Sequence, residues 1–404
     1  MQLYNISGNE YTLHAGCRVE NIVKSPMRPF SNLVLDFLGD LSRALMSDRE
    51  TRKYPDAISF AFWLRPANLK LKYKKLNLHP YTIGRGLALH VAPSNVPVNF
   101  AFSFAFGILS GNSNLVRVPE IKYKQTQIIL HHIDLQLNKS KYSILKSQNS
   151  FFRYERNDEI NFFLSNQSDC RLIWGGDQTI NYFKSIPTQP RNIDLCFADR
   201  YSITIFGAKE ILSLDSKKLK KLCQDFYNDN FLFNQLACSS SHLINWQGSN
   251  KDISSARKIF WLTMNTLTKA IGQMTDTDYI DRFAKVGNLA FRYDDFTLNS
   301  KISDTIYRSD LECYNVKFED HRIGYGYFSE IKNISHKQLS AKITNRYQTI
   351  TYFGIEATQL AESLVTASVA GVDRIVPVGS ALSLDLLWDG YDIIRTLSRV
   401  IEVK

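Results

Sequence analysis

Apolar positions along the chain follow two periods. Short runs at Gly86–Val91, Leu115–Val118, Phe151–Glu155, Cys170–Trp174, Ile193–Phe197 and Ser202–Phe206 are bounded by Gly, Pro, Asn or charged residues. Such runs read as strands. Between them, Val98–Leu109, Tyr123–Leu137, Asn157–Asn166 and Gln178–Lys184 repeat their apolar residues at helical spacing. Strand and helix thus alternate from 86 to 206, which predicts a doubly wound α/β domain on a parallel sheet. Upstream, Asn32–Met46 has helical spacing with Ser31 as N-cap, and Ala57–Trp63 is apolar and aromatic. Residues 65–70 suit a loop or a helix start, and residues 1–30 show no readable period. Downstream, a lysine-rich helical stretch runs to Leu222, and Asp225–Ser241 leads into a strand at His242–Trp246. A helix over Ser254–Ala270, a strand at Tyr347–Gly354 and a helix over Gln359–Ala367 follow. Residues 275–335 between them are polar and poorly periodic, and the tail closes in an amphipathic helix and a short strand.

The stretch from Gly86 to Glu120 organises the rest. It reads strand, loop (Pro93-Ser94-Asn95-Val96-Pro97), helix, turn, strand, which is a right-handed βαβ unit. Ligands of open parallel sheets sit beyond the carboxyl ends of the strands, and that edge is the loop holding Asn95. A second strand, Cys170–Trp174, runs straight into Gly175-Gly176 and then a helix. A double glycine there lets backbone N–H groups approach a phosphate, although it is equally a plain turn. The chain has no G-x-G-x-x-G, which disfavours an ordinary Rossmann dehydrogenase.

Length and composition narrow the class. At 404 residues, two domains are expected. With 44% hydrophobic and 22% charged residues the composition is that of a globular protein. No run reaches the roughly 18 apolar residues of a membrane helix, so no integral membrane segment is expected. The amino terminus has no secretory pattern, and the six dispersed cysteines form neither a zinc nor a disulfide framework. A cytoplasmic chain with reduced thiols is the expectation. The net charge of +10 comes without a nucleic-acid motif, so no nucleic acid is expected as partner.

Two residues gain meaning together. Asn95 follows a strand and opens a helix, while Cys238 lies in a run of small and polar residues, NQLACSS, that leads into a strand. That order resembles the aldehyde dehydrogenase superfamily, in which an Asn-x-Pro loop of the cofactor domain faces a cysteine nucleophile. Within it, FAFWLRPANL (60–69), HVAPSNVPV (90–98), WGGD (174–177), LACSSSH (236–242) and DRIVPVGSALSLDLLWDGYDIIRTLSR (373–399) resemble a narrower family. This is the acyl-CoA reductase of the bacterial bioluminescence fatty-acid reductase complex and its relatives.

The resemblance implies an aldehyde-dehydrogenase-like α/β fold. Residues 1–206 would hold an N-terminal segment and the nicotinamide-cofactor domain, 207–370 the cysteine domain, and 371–404 a C-terminal segment suited to oligomerisation. The implied chemistry is reduction of an acyl thioester to an aldehyde through a cysteine acyl-enzyme. Cys238 is the nucleophile, and Asn95 with the Cys238 backbone N–H are the oxyanion donors. NADPH is the expected cofactor and NADH the alternative. Pro93 and Ser94 would lie toward the nicotinamide, Gly175 and Gly176 toward the pyrophosphate. Arg117 would suit a 2′-phosphate and Glu120 a free ribose hydroxyl. Gln348, in YQTITYFG, is the nearest counterpart of the superfamily's ribose-binding glutamate. The water-activating glutamate of the hydrolytic members has no counterpart in Phe197–Ser202, which favours thioester reduction over acid formation. The acyl donor would be acyl-CoA or an acylated protein, with an acyl-protein synthetase or thioesterase-like partner and a homo-oligomer expected. Two other readings stay open: a non-catalytic scaffold in a biosynthetic complex, and an acid-forming aldehyde dehydrogenase. His242 reads as structural, with an acid role as the alternative.

Overall fold

Strands form where the apolar runs are shortest and most continuous. The structure is a computed structural model and describes residues 2–6, 8–93, 96–271, 274–293, 300–301, 305–311 and 317–404. The strands are β1 (Gln2–Ile6), β2 (Asn9–Gly16), β3 (Thr82–Gly84), β4 (Leu87–Val91), β5 (Ser113–Arg117), β6 (Asn149–Arg153), β7 (Cys170–Trp174) and β8 (Ile193–Phe197). They continue with β9 (Tyr201–Gly207), β10 (Ser241–Gln247), β11 (Ser300–Lys301), β12 (Tyr307–Asp310), β13 (Tyr327–Lys332), β14 (Tyr347–Phe353) and β15 (Arg374–Pro377). The tail adds β16 (Leu387–Trp388), β17 (Tyr391–Asp392) and β18 (Ser398–Val400).

The chain divides into two units, residues 1–198 with 384–404, and residues 199–383. The first unit carries a sheet in the order β1-β2-β6-β5-β4-β7-β8. Strands β6, β5, β4, β7 and β8 run parallel, and β1 and β2 extend the sheet antiparallel. Every residue of β4 and β7 is buried, as expected of strands covered on both faces. The helix Asn99–Leu109 is buried along its whole length, which explains why its sequence is apolar all round. Chain order reverses at β4, whose neighbours are β5 on one side and β7 on the other. This is the topological switch point at which such sheets bind ligands.

The second unit has its own sheet, β11-β12-β13-β10-β9-β14-β15, parallel except for β11. One face buries Phe206, Phe226, Trp246, Phe260 and Phe328; the other buries Ile203, Leu243, Ile331, Ile350 and Leu360.

Several expected boundaries move. The division falls at 198/199, so β9 opens the second unit and does not close the first. The C-terminal stretch is split, because residues 371–383 belong to the second unit and 384–404 return to the first. There β18 pairs with β3, and Ile393, Ile394 and Leu397 are fully buried. The tail helix is only Ile393–Thr396. Residues 65–70 lie at the start of a helix, Pro66–Leu76, and the aperiodic 275–335 stretch holds a helix, Asp276–Arg292, with strands β11 to β13. Ser31 is an N-cap by position, but its side chain makes no cap bond, whereas Asn157 accepts from the Ile160 N–H at 2.9 Å.

Candidate active site

The carboxyl ends of β4, β5 and β7 lie side by side in the first unit, since Val91 registers with Arg117 and with Ile173. Pro93, Arg117, Glu120, Gly175 and Gly176 lie at or just beyond these strand ends. Ser94 and Asn95 lie outside the described residues. The Gly175 N–H donates to the Phe197 carbonyl at 3.2 Å, and a Cβ on Gly175 would meet Thr179 at 3.0 Å. Gly175 is therefore held by packing. At Gly176 an added Cβ meets nothing within 4 Å, and this residue N-caps the helix Asp177–Ser185. The open backbone at a helix N-terminus is the feature that admits a phosphate.

Arg117 and Glu120 engage each other. The guanidinium donates to Glu120 Oε1 at 2.6 Å and lies 4.7 Å over the Tyr154 ring. A 2′-phosphate would have to take Arg117 from Glu120, while a free ribose hydroxyl would leave the pair intact. Beneath this edge, Trp174 Nε1 donates to Ser103 Oγ at 3.0 Å. His90 bridges Ser103 Oγ at 2.8 Å and Asn114 Oδ1 at 3.0 Å. Burial pulls His90 down to about 4, so the ring is neutral.

In the second unit the Cys238 loop follows the helix Ser216–Asn230 and precedes β10. Asn234 and Gln235 adopt left-handed backbone, φ +50° and +62°. Gln235 offsets that strain by filling every role of its buried amide that the loop needs. Its Nε2 donates to the carbonyls of Ser241 (2.7 Å) and Tyr327 (2.9 Å), and its Oε1 accepts from the Gly326 N–H (3.0 Å). The Cys238 carbonyl accepts from the Ser202 hydroxyl at 2.7 Å, and Ser202 Oγ in turn accepts from the Thr349 N–H at 3.2 Å. Ser202 so links the cysteine to the β14 segment in which Gln348 is buried. Asp229, at the end of the preceding helix, accepts from the N–H groups of Gly379 and Ala381; burial pushes it up to about 7.

The Cys238 thiol is half-buried and lies 3.9 Å from Asp199 Oδ1. The same carboxylate oxygen accepts from Arg322 Nη1 at 2.6 Å. Phe197–Ser202 offers no glutamate for this position, and the carboxylate that the structure places beside the thiol is Asp199 of that same segment. Asp199 lies two residues before β9, a signal a strand-boundary argument could have used, while Arg322 sits in the aperiodic stretch and has none. His242 is buried and stacks on Tyr201 at 5.7 Å between centroids. Burial holds it well below the ordinary imidazole range, so it is no proton donor at neutral pH.

Burial pushes Cys17 up to about 11 and Cys170 and Cys223 up to about 12, and raises Cys196. A thiol disfavoured as thiolate is a poor nucleophile. Cys238 has the Asp199 carboxylate beside its thiol, and Arg322 is bonded to that carboxylate.

Two parallel α/β units, one with a switch-point crevice and one with a cysteine loop, define an aldehyde-dehydrogenase-like protein. Solved structures agree. A NAD-dependent benzaldehyde dehydrogenase from Corynebacterium glutamicum is similar over 92% of this chain and 86% of its own, with TM-score 0.61 and 11% identity. A methylmalonate-semialdehyde dehydrogenase from Oceanimonas doudoroffii is similar over 92% and 86%, with TM-score 0.62 and 12% identity. An aldehyde dehydrogenase from Physcomitrella patens, solved with succinate, is similar over 91% and 84%, with TM-score 0.63 and 10% identity. Within that fold, residues 70–269 match the model of the acyl-CoA reductase (LuxC) family. Family and fold together make the chain an aldehyde-related oxidoreductase. No curated protein matches the sequence. Among the described residues, no helix is long and apolar enough to cross a membrane.

Proposed function

We propose that the chain is an NADPH-dependent acyl-thioester reductase that forms an aldehyde through an acyl-enzyme on Cys238. The observation that carries this reading is the Cys238 loop itself. A half-buried thiol is fixed by Gln235 and Ser202 and flanked by the Asp199–Arg322 pair, inside the segment that matches the acyl-CoA reductase family. The donor is acyl-CoA or an acylated protein.

Cys238 Sγ attacks the thioester carbonyl carbon; the carbon–sulfur bond to the donor breaks, and the donor leaves as a thiol. The Cys238 backbone N–H and, on sequence grounds, the Asn95 amide stabilise the oxyanion, each worth typically ~2.7–4 kcal/mol. A reduced nicotinamide, when bound, supplies the hydride that takes the acyl carbon to the aldehyde level. The Cys238–carbon bond then breaks and the free thiol returns. The residues that would hold the cofactor are Pro93, the first turn opened by Gly176, Arg117 and Glu120, with Ser94 and Gln348 assigned from sequence alone. The open space at Gly176 supports the fit. NADPH follows from Arg117 and NADH from Glu120, and the Arg117–Glu120 bridge is where the two compete.

One observation favours a second reading. Asp199 beside the thiol could activate water, as an acid-forming aldehyde dehydrogenase requires. Intact-protein mass spectrometry after mixing with a panel of acyl-CoAs separates the readings. The reductase gives an acyl adduct on the wild type and none on Cys238→Ala, discharged as aldehyde when NADPH is added. Discharge as acid with aldehyde oxidation supports the second reading. No adduct from any acyl-CoA or acyl-protein donor leaves a scaffold role. An acyl-delivering protein partner and a homo-oligomer belong to the same proposal, and co-purification and sedimentation test them.

A further inference from the structure

The Asp199 oxygen turned toward Cys238 is the one that Arg322 occupies. Cys238 Sγ lies 3.9 Å from Asp199 Oδ1, and Arg322 Nη1 lies 2.6 Å from that same atom. Arg322 is the more buried of the two, its side chain 24% exposed against 43% for Asp199. Its position is built from both directions. It caps the short 3-10 turn Phe318–His321, whose Phe318 is buried in the sheet's apolar face. Three residues on, Tyr325 N–H donates to the Asn234 carbonyl at 2.9 Å and Gly326 N–H donates to Gln235 Oε1 at 3.0 Å. The segment that carries Arg322 is thus hydrogen-bonded to the loop that carries Cys238.

That arrangement bears on the fate of an acyl-enzyme. Hydrolysis needs a carboxylate that takes a proton from water while the water oxygen attacks the acyl carbon. The Cys238–carbon bond then breaks, releasing carboxylic acid, and the proton returns to the thiolate. No oxidant or reductant is involved. A carboxylate oxygen whose sulfur-facing side is taken by a guanidinium N–H has that lone pair engaged and not presented to a water on the acyl-enzyme.

Resting on the reductase reading, we infer that Arg322 is a specificity-determining residue. By holding the sulfur-facing oxygen of Asp199, it keeps Asp199 from activating water, so the acyl-enzyme persists until it is reduced. Asp199 is the latent hydrolytic base, and Arg322 sets the partition between aldehyde and acid.

The test follows the lifetime of the acyl adduct on the full chain without any nicotinamide, by intact mass, with free acid measured alongside. Wild type, Arg322→Gln, Arg322→Lys and the Arg322→Gln/Asp199→Asn double variant are acylated with the same acyl-CoA. Arg322→Gln should lose its adduct to free acid at least ~10-fold faster than wild type, a threshold set below the ~10²–10⁴ that a positioned general base typically supplies. Arg322→Lys, which keeps the cation, should stay near wild type, and the double variant should regain the long-lived adduct. An Arg322→Gln adduct as durable as wild type overturns the inference, as does a double variant that hydrolyses as fast as Arg322→Gln. Should Arg322→Gln fail to fold, Asp199→Asn alone decides: an unchanged adduct lifetime supports a silenced Asp199, and a ~10-fold longer one shows an active base and overturns it. A wild type that no donor acylates sinks the underlying reading, and this one falls with it.

Discussion

His90 sits in the middle of β4 with no exposure to solvent, and its neighbours dictate its tautomer. Asn114 Oδ1 is only an acceptor, so Nε2 carries the proton. Ser103, which receives the Trp174 N–H, then donates its own hydroxyl to Nδ1. Burial holds the ring down to about 4. In the unfolded chain the same ring titrates near ~6.5. Between those values the unfolded state binds the extra proton, so this residue's contribution is full above ~6.5 and is lost as pH falls toward 4. Urea unfolding midpoints at pH 7.5, 5.5 and 4.5 check this. His90→Asn should be less stable than wild type at pH 7.5 and should lose less on acidification, by up to ~1.4 kcal/mol per pH unit. Equal pH slopes would count against it. Cys238 is legible at the same scale for a different reason: a thiol among small residues before a strand has few structural explanations once its order relative to Asn95 is seen. Arg322 was not legible, because its meaning is an oxygen atom of Asp199, a residue far away in sequence.

The helix Asp177–Ser185 is the element on which cofactor binding would depend. Its N-terminus carries the open Gly176, but its first turn also carries the exposed carboxylate of Asp177. Both that carboxylate and a bound phosphate would draw on the same partial positive charge, and they repel each other. Asp177→Asn should therefore tighten nicotinamide dinucleotide binding, by the ~0.3–1 kcal/mol typical of helix-end charges, roughly two- to fivefold in Kd. Titration of cofactor fluorescence quenching at low salt checks it, and a weaker Kd would argue against a phosphate at this end. Elements with one strong period were readable, as β4, β5, β7 and the helices between them show. Residues 275–335 were not, because the helix Asp276–Arg292 leaves Ile280, Phe283 and Phe291 exposed and buries little. The helix is amphipathic all the same, a period the sequence reading missed. The register irregularities between Ser241 and Leu243 and between Tyr347 and Ile350 also leave no mark in sequence.

At the scale of the whole chain, the first unit is discontinuous. It ends at residue 198 and resumes at 384. The returning segment supplies Leu386, Trp388, Ile393, Ile394 and Leu397 to the first unit's core. It also supplies backbone carbonyls: Leu384 accepts from Trp63 Nε1 at 2.9 Å, Leu397 from Asn112 Nδ2 at 2.9 Å, and Thr396 from Arg85 Nε at 2.7 Å. Each such apolar side chain is worth ~1.5–3 kcal/mol. Together they rival the whole ~5–15 kcal/mol by which a domain is stable. Removal of residues 384–404 should therefore unfold the first unit while the second, which lies wholly in 199–383, keeps its own sheet. Limited proteolysis with mass readout checks this: fragments should come from residues 1–198, and a first unit as resistant as in the full chain would refute it.

The sequence by itself determined the alternation of strands and helices, the crevice at the carboxyl end of β4, the cysteine loop and the family to which both point. These are local matters: a period of two or 3.6, a glycine pair, a run of small residues before a strand. Tertiary structure alone decided where one unit ends and that the last twenty-one residues belong to the first unit. It alone placed Asp199 and Arg322 at the Cys238 sulfur. Burial, pairing and charge proximity depend on which distant segments share a sheet or a core, and no window of neighbouring residues carries that information.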